Sequence, residues 1–85
     1  MDKSEVYRRV VGVVCRVLSV NEGLVEPDNH FVFDLGAEST QSIQLVAAFE
    51  AEFGIEIDEE AALGVQTVGA AADFIAAQLR MEDDG

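Results

Sequence analysis

Positive charge is scarce in this sequence. Lys and Arg number 5 against 17 Asp and Glu, a formal net charge of −12. Lys3, Arg8, Arg9 and Arg16 lie within the first 16 residues, and after Val20 only Arg80 faces fifteen acids. Contact with a nucleic-acid backbone needs Lys and Arg on the phosphates, so the charge argues strongly against a direct nucleic-acid binder and disfavours docking on an anionic membrane. The negative field favours partners that carry a basic patch, and it equally serves plain solubility. Cysteine is scarce too. Cys15 is alone, which excludes an internal disulfide and fits a reducing compartment. Cys15 falls off the apolar stripe of its helix, with nothing placed to activate the thiol. No apolar run is long enough for a bilayer and the N-terminus lacks a signal-peptide layout, so the expectation is a soluble cytoplasmic protein without membrane insertion.

His30 is the only histidine. It reads as a loop residue near the surface, and one imidazole supports no serine–histidine arrangement. Cys15 and His30 together give two soft ligands, too few for a structural zinc site. The twelve residues from Asp28 also fail as a calcium loop: His30 and Val32 stand at ligand positions, glycine is ninth instead of sixth, and Ser39 replaces the terminal glutamate. No metal site is expected. No convergent acid–base set exists, so an autonomous enzyme is the weakest reading.

What is present suits one small domain. The chain has 85 residues, 49% apolar and 26% charged, without repeats or low-complexity tracts. The valine-rich stretch 3–20 sets Val6, Val10, Val13 and Val17 on one helical stripe, widened by Tyr7 and Val14. Asp2 and Glu5 have capping-box spacing at its start, and Asn21 with Gly23 reads as its stop. A long loop with Pro27 follows, whose apolar residues predict that part of it folds onto the core. A second helix is predicted over 39–53, with Leu45, Val46, Phe49 and Phe53 on one face, Ile43 at its edge and Gly54 as C-cap. Ile55 to Ile57 reads as a short extended piece, 58–63 as a short third helix, and 67–80 as a last helix capped by Thr67. Residues 81–85 read as a frayed tail. The fold expectation is all-α: a small antiparallel four-helix bundle, three main helices plus the short third one, in a single domain over 1–80.

One position stands out. In "FDLGAEST", Phe33 to Thr40, Ser39 opens the second helix three residues after Gly36. Ser39 reads as an N-cap serine, worth about 1 kcal/mol. It also reads as an attachment point: Gly36 lets the chain bend, a helix N-terminus favours a phosphate ester, and apolar segments flank the hydroxyl.

The stretch "FVFDLGAESTQSIQLVAAFEAEFGIEI" resembles the central block of discrete, fatty-acid-synthase-type acyl carrier proteins. Asp34, Leu35, Gly36, Ala37 and Ser39 match that family's attachment motif; Glu50, Glu52, Phe53, Ile55 and Ile57 follow at its spacing. Thr67, Val68, Ala70, Asp73 and Ile75 match its last helix, so the resemblance covers about residues 6–79. It implies that Ser39 carries 4′-phosphopantetheine, transferred from coenzyme A by a phosphopantetheinyl transferase, and that acyl groups ride on the arm as thioesters. The chain would be a non-catalytic carrier serving acyl-loading, acyl-transfer or synthase enzymes of fatty acid, lipid or polyketide synthesis that have basic docking surfaces, and would be a monomer. By register the resemblance implies an acyl pocket lined by Phe31, Leu35, Leu45, Val46, Phe49, Ile57, Ala62, Val65 and Ala71. It implies partner recognition by Glu38, Thr40, Gln41, Ile43, Gln44, Glu50 and Glu52.

The departures sit beside Ser39. Glu38-Ser39-Thr40 replaces the usual Asp-Ser-Leu, Gln41, Ser42 and Gln44 stand where the family often has acids, and Phe33 takes another commonly acidic position. These predict a specialised rather than housekeeping carrier. Peptidyl carriers usually show a second glycine where Ala37 stands, which leans away from an aminoacyl cargo. An unmodified acidic adaptor that binds a basic protein surface is the reading from another class.

Overall fold

The computed structural model describes residues 2–83, with side chains as far as Arg80. Four α-helices follow one another: α1 (Lys3–Leu18), α2 (Ser39–Phe53), the short α3 (Glu59–Leu63) and α4 (Val68–Asp83), with a 3-10 turn at Glu22–Leu24. The described residues contain no strand, only an isolated antiparallel bridge between His30 and Thr67. The all-α bundle expected from the periodicity is the observed architecture.

α1 is the central element, packed against both α2 and α4. Two partners need a wide apolar arc. Val6, Val10, Val13 and Val14 are buried as the stripe predicts, but Val11 and Leu18 join them while Tyr7 and Val17 stay half-buried. Each such side chain taken out of water stabilises by about 1.5–3 kcal/mol, which offsets the weak helix propensity of valine. The Asp2 carboxylate accepts the Glu5 N–H at 2.9 Å, the cap its spacing predicts. The other end differs from expectation. α1 stops at Leu18 rather than residue 20, because Ser19 turns left-handed (φ 56°) and the Val20 N–H returns to the Cys15 carbonyl at 3.2 Å. Asn21 instead opens the 3-10 turn, its side chain accepting the Gly23 N–H.

α2 has the predicted bounds and buries Leu45, Phe49 and Phe53. Gly54 ends it in the left-handed region (φ 64°), the conformation glycine adopts at least cost. Ile55 is buried, and Ile57 is fixed by its N–H donating to Glu50 Oε2 at 2.8 Å. Asp58 caps α3 from outside, so that helix starts one residue later than predicted. α4 continues through Asp83, so residues 81–83 belong to the helix; 84 and 85 of the expected tail lie outside the described residues.

The long loop divides by burial. Val25, Phe31 and Ala37 join the core, whereas Leu24, Val32 and Phe33 stay exposed. The loop is pinned to the start of α4: the Asn29 carbonyl accepts the Val68 N–H at 3.1 Å, the Pro27 carbonyl accepts the Gly69 N–H at 2.7 Å, and the Phe31 N–H donates to the Gln66 carbonyl at 2.9 Å. Thr67 Oγ1 takes the Ala70 N–H at 3.2 Å, the cap predicted for it. The approach is close: a Cβ on Gly69 would lie 2.9 Å from the Pro27 carbonyl oxygen.

Candidate functional site

The site begins with one helical turn of backbone after His30. The His30 carbonyl accepts the N–H groups of Asp34 (2.9 Å) and Leu35 (3.1 Å), the Val32 carbonyl that of Gly36 (3.1 Å), and the Phe31 carbonyl that of Ala37 (2.8 Å). Gly36 closes the turn at φ 73°, where a side chain would strain the backbone. The chain then drops Ala37 into the core and starts α2.

Ser39 is not the N-cap. Glu38 occupies that position in extended conformation (ψ 168°), and Gln41 Oε1 accepts the Glu38 N–H at 2.9 Å. Ser39 is the first helical residue and exposed, so its hydroxyl is free of the capping role that serine statistics suggest. Among the described residues no acceptor meets the backbone N–H of Ser39 or Thr40. An anion attached to the Ser39 hydroxyl would find unengaged N–H groups and the positive end of a fifteen-residue helix.

One turn further along α2, the chain borders a cavity of about 320 Å³ between α2 and α4, roofed by α3 and the loop. Ser42 and Ile43 stand on its wall from the Ser39 side. Eight of the nine residues expected there line it: Phe31, Leu45, Val46, Phe49, Ile57, Ala62, Val65 and Ala71. Leu35 does not; it is half-buried and packs on the core instead. The register missed Phe74 and Ile75, which also line the wall. The signal was available, because Ala71, Phe74 and Ile75 are spaced i, i+3, i+4 on α4. His30, Ser42, Glu59 and Gln66 add polar groups to an otherwise apolar lining. Ile43 (70% exposed) and Leu63 (74%) lie on both the cavity wall and the surface, and Phe33 (84%) is also exposed.

The residues expected to meet partners divide into two sets. Thr40, Ile43 and Gln44 are exposed on α2, and Glu38 is exposed at its start. Gln41 is half-buried in its bond to Glu38. Glu50 and Glu52 are engaged within the molecule: Glu50 holds the Ile57 N–H, and Glu52 lies 3.6 Å from Arg9 and 3.8 Å from Arg16 of α1. The basic first helix thus neutralises the acidic end of α2. Cys15 is half-buried, and burial, with the nearby Glu22 carboxylate second, pushes its thiol up. A thiol so placed is a poor nucleophile at neutral pH. The described residues hold no cluster of three or more His, Cys, Asp or Glu able to bind a metal, and no helix long and apolar enough to cross a membrane.

Residues 8–75 match the family model for the phosphopantetheine attachment site. Over 78 residues the chain is 45% identical to the acyl carrier protein of Prochlorococcus marinus (strain MIT 9515), covering 92% of this chain and 98% of that protein. The chain belongs to the acyl carrier protein family. Such a carrier is not itself an enzyme; it holds 4′-phosphopantetheine covalently and works with a phosphopantetheinyl transferase and acyl-handling enzymes. An arm of that kind supplies a thiol for thioester chemistry, so the chain's own half-buried Cys15 thiol need not act. The residues present fit the group: a free hydroxyl on an open helix start, a glycine-hinged approach and an adjoining apolar cavity.

Proposed function

We propose that Ser39 is the attachment residue and that the cavity between α2 and α4 shelters the acyl chain. The observation that carries this reading is the exposed, uncapped Ser39 hydroxyl at the open N-terminus of α2, one turn from the cavity wall. Ser39 offers the oxygen for the phosphodiester, and the Ser39 and Thr40 N–H groups stand ready for the phosphate. Leu45, Val46, Phe49 and Ala71 offer apolar surface; each methylene buried there is worth about 0.8 kcal/mol.

Partner choice, in this reading, rests on Glu38, Thr40, Ile43 and Gln44, together with exposed Phe33 and Leu63. With Glu50 and Glu52 bound internally, α2 offers a basic docking surface little beyond Glu38, which supports a specialised carrier whose partners use apolar contacts as well as charge. Fatty acid, lipid or polyketide synthesis in the cytoplasm, with the carrier as a monomer, is the setting that fits. Equal turnover by a housekeeping ketosynthase, side by side with a generic carrier, would count against the specialised role.

The attachment test is an intact-mass measurement after incubation with coenzyme A and a broad-specificity phosphopantetheinyl transferase. The expected result is a gain of one phosphopantetheine, absent in Ser39→Ala and kept in Ser42→Ala. No gain with a transferase that loads a control carrier would contradict the reading and favour an unmodified adaptor.

A further inference from the structure

The lone histidine does more than occupy a loop. His30 Nδ1 lies 3.1 Å from the Val32 nitrogen and 3.2 Å from the Phe33 nitrogen, and both N–H groups donate to it. A ring nitrogen that accepts two N–H bonds carries a lone pair. The ring proton therefore sits on Nε2, which faces Gln66 Oε1 at 3.3 Å. In return the Asp34 carboxylate accepts the His30 backbone N–H at 2.6 Å. This is the reciprocal logic of a capping box, built on an imidazole at the head of the turn that ends in Gly36. Phe33 lies tilted against the same ring, centroids 4.4 Å apart and planes at 33°.

We propose that neutral His30 is a positioning residue for Ser39, and that its protonation releases the attachment loop. This rests on Ser39 being the attachment residue. The turn from Phe31 to Gly36 is the last hydrogen-bonded turn before α2, so whatever fixes the turn fixes the approach to the hydroxyl. Protonation puts a proton on Nδ1 as well, turning the acceptor into a donor aimed at two N–H groups. The cap then opposes the turn it held.

The charges around His30 reinforce that outcome. On its own turn Asp34 accepts the His30 backbone N–H, and on α3 Glu59 lines the same cavity. Gln66 and Thr67 before α4 are neutral, and the cavity neighbours on α2 (Ser42, Ile43) and α4 (Phe74) are uncharged. An imidazolium attracts the Asp34 carboxylate of the same turn through its charge. Drawing the Asp34 carboxylate to the ring also removes it from the His30 N–H, so both halves of the reciprocal cap are lost. The opposite edge of the loop is unaffected, since Asn29 and Pro27 bind α4 through backbone carbonyls that do not titrate here.

The test follows the full-length 15N-labelled chain by NMR from pH 8 to pH 5, with loading by a phosphopantetheinyl transferase measured in parallel. His30→Asn keeps a short acceptor that does not titrate; His30→Ala keeps none. In the parent chain, the Val32 and Phe33 amides should move with the ring titration and exchange with solvent at least about tenfold faster when it is protonated, while Gly69 and Ala70 amides hold still. His30→Asn should flatten this dependence, and His30→Ala should show fast exchange at every pH. Loading of the parent relative to His30→Asn should fall severalfold as pH drops. Val32 and Phe33 amides indifferent to the ring titration, an equal pH dependence in His30→Asn, or a constant loading ratio would each overturn the proposal. If no chain gains mass at any pH, the Ser39 assignment fails, and the amide measurements still decide whether His30 caps the turn.

Discussion

The two helices that flank the cavity begin in opposite ways. The start of α4 is closed: its Val68, Gly69 and Ala70 N–H groups are taken by the Asn29 carbonyl, the Pro27 carbonyl and Thr67 Oγ1. The start of α2 is only partly closed: Glu38 caps it in a reciprocal box with Gln41, but the Ser39 and Thr40 N–H groups meet no protein acceptor among the described residues. Both starts adjoin the same loop. One is engaged in holding that loop in place, and the other keeps two N–H groups that no described residue engages. The closed start makes the open one usable, because a loop fixed at Pro27, Asn29 and Phe31 delivers Gly36 and Ser39 to a defined place.

The contrast can be broken most sharply at Gly69. Alanine there would ordinarily help a helix by up to about 1 kcal/mol. Here its Cβ meets the Pro27 carbonyl oxygen at 2.9 Å and the Pro27 Cβ at 3.3 Å, and backbone cannot swing aside. The clash should win, and urea unfolding of Gly69→Ala should show a loss of about 1–3 kcal/mol. Thr67→Ala, which removes the bond to Ala70, should cost about 1 kcal/mol in the same measurement. The matching change at the open start, Glu38→Ala, should cost no more than about 0.5 kcal/mol, since glutamate is not among the strong N-cap residues. Equal losses from Thr67→Ala and Glu38→Ala would mean that the two starts are not different in kind. The smallest expected effect is at Glu52→Gln. Its arginine contacts at 3.6 and 3.8 Å are partly exposed, so their loss should cost about 0.2–1 kcal/mol and fade at high salt.

A kinetic comparison separates two thiols in the loaded protein. Cys15 is half-buried, with a thiol pushed up by burial and by Glu22. Alkylation at neutral pH should label the arm thiol well ahead of Cys15, and the Cys15 rate should rise with pH later than that of an unhindered cysteine peptide. Equal rates would show that Cys15 is more accessible than its surroundings imply.

Much of this was legible in the sequence, for identifiable reasons. The bounds of α2 follow from its apolar spacing between Gly36 and Gly54, and the residues placed on the cavity wall come from alignment with the family that the chain resembles. The end of α1 was not legible, because Ser19 in the left-handed region leaves no compositional sign. The capping of α2 was misread because serine is the commoner cap, and only the backbone angles place Glu38 there. Glu50 and Glu52 looked free for partners because their own helix says nothing of Ile57, Arg9 or Arg16, which arrive from other elements. His30 looked idle for a related reason. Its Nδ1 bonds lie within three residues, but they exist only once the turn has formed.

The most direct test of the central claim locates the arm on the chain. Cleavage of the loaded protein after Glu38 and Glu50 releases the segment from Ser39 to Glu50, which contains three hydroxyl residues, Ser39, Thr40 and Ser42. Fragmentation of that peptide in a mass spectrometer assigns the added mass to one of them. The phosphopantetheine should be found on Ser39, at the open end of α2. Its presence on Thr40 or Ser42, or an unmodified segment from a chain exposed to active transferase, would contradict the account.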